Sequence, residues 1–87
     1  MNAMAHPVLV IEDEPTLAKN ISAYLQRHSF DVHVAGSGET GLDQIAALKP
    51  GAIVLDFNLP GINGLEVLAR IRSRDRATKI VMMTGHG

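Results

Sequence analysis

Short aliphatic runs constrain this chain more than any other feature. Val8-Leu9-Val10-Ile11, Ala52-Ile53-Val54-Leu55 and Ile80-Val81-Met82-Met83 are brief and largely β-branched. The first two read as strands buried on both faces, and the third reads as a further strand. Between them, apolar residues recur at helical spacing. Leu17, Ile21, Tyr24 and Leu25 predict an amphipathic helix over 15–28, with Pro15 at its first position behind Glu14. The acids before it and Arg27-His28 at its end suit the helix dipole. Leu42, Ile45, Ala46 and Leu48 predict the inward face of a second helix, stopped by Pro50-Gly51. Leu65, Leu68 and Ile71 predict one face of a third, opened by Gly64. Phe30, Val32 and Val34 alternate with Asp31, His33 and Ala35, the pattern of a half-exposed edge strand. The order is therefore β-α-β-α-β-α-β. Strands alternating with helices mean an α/β fold with a parallel sheet, and right-handed crossovers put helices on both faces.

Composition narrows the class. The 87 residues make one domain at most. Aromatics are 3% of the chain, so the core must be aliphatic, and the absence of cysteine excludes a disulfide framework or a thiolate zinc site. A net charge of −1 gives no global electrostatic reason to bind nucleic acid or an anionic membrane. No apolar run approaches the roughly 18 residues of a membrane span, and the N-terminus lacks a signal-peptide pattern. Residues 1–7, with a second methionine at Met4, are set apart as a flexible N-terminus or cloning remnant.

In an open parallel sheet, function gathers at the carboxyl ends of the strands. The first strand delivers Glu12 and Asp13 there, the second only Ser37, the third Asp56 with Asn58 in its loop, and the fourth Thr84. Three carboxylates converging from distant parts of the sequence repel one another and titrate as a group. A divalent cation relieves this, and an all-oxygen ligand set favours Mg²⁺ or Mn²⁺ over zinc. Such a metal can clamp a transferring phosphoryl group, for which an aspartate is a competent covalent acceptor.

These residues resemble the receiver domain of bacterial two-component response regulators, over essentially the whole chain after Pro7. Glu12-Asp13 is similar to the family's metal-binding acid pair. Asp56 to Gly64 matches its D-x-x-x-P-x-x-x-G loop. The resemblance implies that Asp56 is the phosphoacceptor, that the Asn58 carbonyl joins Glu12, Asp13 and Asp56 around Mg²⁺, and that Thr84 is the switch hydroxyl. It implies a flavodoxin-like sheet of order 2-1-3-4, a signalling module rather than an enzyme, a sensor histidine kinase as partner, an output module beyond residue 87 and a cytoplasmic setting. Thr84-Gly85-His86-Gly87 resembles receivers of nitrogen-regulatory type, which often precede ATPase or DNA-binding modules. The family's fifth strand with its lysine, its aromatic switch residue and its last two helices have no counterpart, so the chain is expected to be an incomplete receiver. Lys79 is no substitute, because it begins the fourth strand, about 16 Å from the active end. The fourth strand is then expected to be a bare edge, and the chain to self-associate.

Other readings compete. Gly36-Ser37-Gly38-Glu39-Thr40-Gly41 fits the dinucleotide fingerprint G-x-G-x-x-G, with Asp56 twenty residues beyond Gly36. The fingerprint belongs after a fully buried strand, however, and it leaves Glu12-Asp13 unexplained. A receiver-like interaction module that is never phosphorylated is the nearer alternative. His6, His28, His33 and His86 have no metal-ligand spacing on one face. Arg70, Arg72, Arg74 and Arg76 form a solvated helix face or a patch for an acidic partner or phosphate.

Overall fold

The computed structural model describes residues 7–83. The elements follow in the expected order: β1 (Pro7–Ile11), α1 (Pro15–Arg27), β2 (Asp31–Ala35), α2 (Gly38–Leu48), β3 (Ala52–Asp56), α3 (Gly64–Arg72) and β4 (Lys79–Met83). The strands form one parallel sheet of order β2-β1-β3-β4. Register places Leu9 beside both His33 and Ile53, and Leu55 beside Met82.

Because side chains alternate across a strand, the register divides the apolar residues into two layers. Leu9, Ile11, Ala35, Ile53 and Leu55 join Leu59, Val67 and Ile71 in one buried cluster, with Leu42, Ile45, Leu48 and Leu68 packed against it, so α2 and α3 share this face. Val8 and Val10 point the other way, where α1 lies over β1 and β2. Each aliphatic side chain fully buried in these layers stabilises the fold by about 1.5–3 kcal/mol.

Each helix begins where the sequence supplies an acceptor. The Glu14 carboxylate accepts from the Leu17 N–H at 2.7 Å, with Pro15 opening α1. Ser37 Oγ accepts from the Thr40 N–H at 3.1 Å, and Asn63 Oδ1 from the Glu66 N–H at 3.0 Å. Such caps satisfy amide groups that the first helical turn leaves without partners. α2 ends on Lys49 in the left-handed region, φ 51°, just before Pro50. After α3, Asp75 Oδ1 accepts from the N–H groups of Ala77 and Thr78, and its other oxygen accepts from the Thr78 hydroxyl, turning the chain into β4.

Four expectations about facing need correction. α1 is rotated so that Ala18 is its most buried residue, and Tyr24 is left 59% exposed against the His28 ring. In α2, Ala46 is exposed. In α3 the inward line is Gly64, Val67 and Ile71, with Leu68 beside it; Leu65, about 100° round from Gly64, is 53% exposed. In β2 the outer residue is Val34, 42% exposed, while Ala35 is buried beneath α2. Alternation alone missed this because both faces of an edge strand are partly covered.

Candidate metal centre

β1 and β3 are adjacent and in register through Ile11 and Leu55, so the residues that follow them emerge side by side. Glu12, Asp13 and Asp56 each offer a carboxylate oxygen, and the three atoms lie within 4.8 Å of one another. Glu12 and Asp56 are buried, whereas Asp13 is exposed. The third acid of the run, Glu14, is instead occupied as the cap of α1.

The hydrogen bonds orient the cluster without satisfying it. Glu12 Oε2 accepts from the Glu14 N–H at 2.9 Å, while Glu12 Oε1 is buried without a partner. Burial raises the Glu12 carboxyl above its ordinary range, the bond from Glu14 opposes that shift, and the charges of Asp56 and Asp13 add to it. Asp56 Oδ1 accepts from the Asn58 N–H at 3.0 Å, which folds the loop back over the acid. Among the described residues no lysine or arginine pairs with the three carboxylates. A buried oxygen without a donor, amid like charges, suits a cation with hard oxygen ligands.

The backbone around Asp56 is equally constrained. Its neighbour Phe57 donates an N–H to the Met83 carbonyl at 2.7 Å, tying the ends of β3 and β4 together. Gly64 packs so closely under the loop that a β-carbon there would lie 2.4 Å from the Asp56 carbonyl oxygen. Gly61, φ 70°, completes the turn after Pro60. Thr84 lies outside the described residues, as do His6 and His86.

The competing glycine motif has a packing explanation. A β-carbon on Gly38 would stand 2.7 Å from Val67 Cγ2 and 2.9 Å from the Ile62 carbonyl; one on Gly41 would stand 2.6 Å from Ile11 Cδ1. These glycines let α2 approach α3 and β1. The arginine run is partly paired, Arg70 with Glu66 at 2.9 Å and Arg72 with the Asp75 carbonyl at 3.2 Å. A groove of about 730 Å³ between α2 and α3, floored by Leu42, Ile45, Ile62 and Ile71, does not include the acidic cluster.

Comparison with known proteins decides the family. The model for the response regulator receiver domain matches residues 8–87. The chain belongs to this family. The receiver domain is 37% identical over 84 residues to the DNA-binding response regulator MtrA of Mycolicibacterium smegmatis, covering 97% of this chain and 36% of that protein. It is 33% identical to the transcriptional activator protein ExaE of Pseudomonas putida, covering 91% of this chain and 38% of that one. The chain thus spans little more than a third of the length of the curated relatives it matches. Among solved structures, the response regulator TrrA of Thermotoga maritima, in complex with Mg²⁺-BeF, superposes with a TM-score of 0.89 at 30% identity, over 94% of this receiver domain and 71% of that chain.

The sequence pointed to the acids of this cluster but not to what borders it. Phe57 and Leu65 are 39% and 53% exposed. The signal available was an aromatic directly after the strand-ending aspartate and a leucine directly after Gly64.

Proposed function

We propose that the chain is a phosphoacceptor: Asp56 takes a phosphoryl group from a sensor histidine kinase in a Mg²⁺-dependent reaction, and the acyl phosphate signals to an output module. The observation that carries this reading is the convergence of carboxylate oxygens from Glu12, Asp13 and Asp56 within 4.8 Å of one another, with Glu12 Oε1 buried and without a partner. Glu12, Asp13, Asp56 and the Asn58 carbonyl would hold the metal. When bound, Mg²⁺ supplies positive charge to the carboxylates and the transferring oxygens.

The chain's own groups account for the remaining requirements. The Asn58 N–H fixes the rotation of the Asp56 carboxylate through Oδ1 and offers Oδ2 as nucleophile. An Oδ2 lone pair forms a bond to phosphorus as the bond from phosphorus to the donor's imidazole nitrogen breaks in line with it. That nitrogen keeps the electron pair and takes a proton from water. Thr84, next in the chain after Met83, is proposed as the hydroxyl that meets the phosphoryl group and biases the domain between two states. On this reading the chain is a signalling module in the cytoplasm. The names of the curated relatives make DNA binding the proposed output.

A second reading, an interaction module that is never phosphorylated, has one observation in its favour. Among the described residues no lysine or arginine pairs with the cluster to neutralise an added phosphoryl group. Incubation with acetyl phosphate and Mg²⁺, followed by intact-mass measurement, separates the two. The phosphoacceptor reading expects one added phosphoryl group in wild type and none in Asp56→Asn. The interaction-module reading expects none in either.

A further inference from the structure

Asp56 is only 5% exposed, yet the residues bordering it include two of the large exposed apolar side chains among the described residues. Phe57 follows Asp56 directly. Leu65 stands in the first turn of α3, and that turn is fastened to Phe57, because the Gly64 N–H donates to the Phe57 carbonyl at 3.1 Å. The two residues therefore lie on joined backbone at one side of the acidic cluster. Neither belongs to the buried core or packs against it.

A small phosphodonor can reach a recessed carboxylate without covering its surroundings. A protein that carries the phosphoryl group on a histidine must lay its own surface around the mouth and bury what borders it. Electrostatics give that approach little help, since three carboxylates outweigh the charge of one Mg²⁺ and the incoming group is itself an anion. Burial of exposed apolar surface does not depend on charge and is available at Phe57 and Leu65.

We propose that Phe57 and Leu65 form an apolar rim that seats a protein phosphodonor, as distinct from a small one, while it delivers its group to Asp56. The proposal rests on the phosphoacceptor reading and adds the surface that the partner occupies. The rim acts on the encounter, so its loss should slow transfer from a protein donor far more than transfer from a small molecule with the same phosphorus–nitrogen bond.

The test compares two donors on the same chain. One is phosphoramidate with Mg²⁺. The other is the fastest donor to wild type from a panel of autophosphorylated sensor-kinase cores. For Phe57→Ser, Leu65→Ser and the double variant, the readout is the ratio of the protein-donor rate to the phosphoramidate rate. The ratio is expected to fall by at least about tenfold in the double variant, and to return in Phe57→Trp with Leu65→Met, which restores apolar area. An unchanged ratio, or equal loss with both donors, would overturn the rim. Failure of phosphoramidate to label wild type would overturn the phosphoacceptor reading itself, and the rim with it.

Discussion

A β-carbon on Gly64 would stand 2.4 Å from the Asp56 carbonyl oxygen and 2.8 Å from Phe57 Cα. Both contacts are backbone, so neither can rotate away. The loop that presents Asp56 is thus laid directly on the first residue of α3. Gly64→Ala should cost several kcal/mol, in the range of severe overpacking, and weaken Mn²⁺ binding by displacing Asp56. Urea unfolding and a Mn²⁺ titration would measure the two effects, and a variant within about 0.5 kcal/mol of wild type would contradict the contact.

The glycines of the Gly36–Gly41 motif should follow a gradient. A methyl at Gly38 meets Val67 Cγ2 and the Ile62 backbone carbonyl, whereas one at Gly41 meets side-chain atoms of Ile11 alone, Cδ1 at 2.6 Å and Cγ1 at 2.9 Å, in a side chain that is itself fully buried. Alanine also gains about 1 kcal/mol over glycine within a helix. Gly41→Ala should nonetheless be destabilised by the repacking of Ile11, Gly38→Ala more so because one of its contacts is backbone, and Gly64→Ala most. Midpoints of urea unfolding give the order directly, and Gly41 as the costliest site would refute this account of α2 packing.

These glycines also show how much the sequence could tell. Element order, parallel pairing and the convergence of Glu12, Asp13 and Asp56 followed from aliphatic runs and from acids at strand ends. Helix rotation was less accessible. Tyr24 and Leu65 fit an apolar spacing but lie on helix flanks, because small residues, Ala18 in α1 and Gly64 in α3, decide which side approaches the sheet. Val34 and Ala35 exchanged their expected burial because the strand's edge position and the cover of α2 outweigh simple alternation. Glu14 was legible as the residue before the helix, but not the bond its side chain accepts from the Leu17 N–H, since any of three consecutive carboxylates has the chemistry to cap.

Asp75 provides a pH prediction. Its carboxylate is held below the ordinary aspartate value of 3.8 by the Thr78 hydroxyl and by the N–H groups of Ala77 and Thr78. A depressed folded-state pKa contributes stability that is present above the unfolded value and is lost as pH falls through the folded one. The stability difference between wild type and Asp75→Asn should be constant above about pH 5 and shrink as pH falls below 3.8. Thermal melts across that range measure it, and a difference that grows with acidification would contradict the assignment.

The outer edge of β4 has no partner strand among the described residues, and Val81 is 58% exposed. An unpaired strand edge is a template for another chain. The polypeptide of these 87 residues is expected to self-associate at concentrations on the order of tens of micromolar, most simply as a two-fold dimer. Val81→Lys should shift it toward monomer. Light scattering after size exclusion reads the mass, and a wild-type monomer at every concentration would refute the expectation.

Asp56 as a covalent acceptor is the centre of the account. An acyl phosphate on aspartate is reduced by borohydride to homoserine, so the modified residue can be located in a peptide mass spectrum. After treatment with phosphoramidate and Mg²⁺, the account predicts homoserine at position 56 alone, and none when Mg²⁺ is withheld. Homoserine at position 13, a phosphoryl group on any other residue, or labelling indifferent to Mg²⁺ would contradict it.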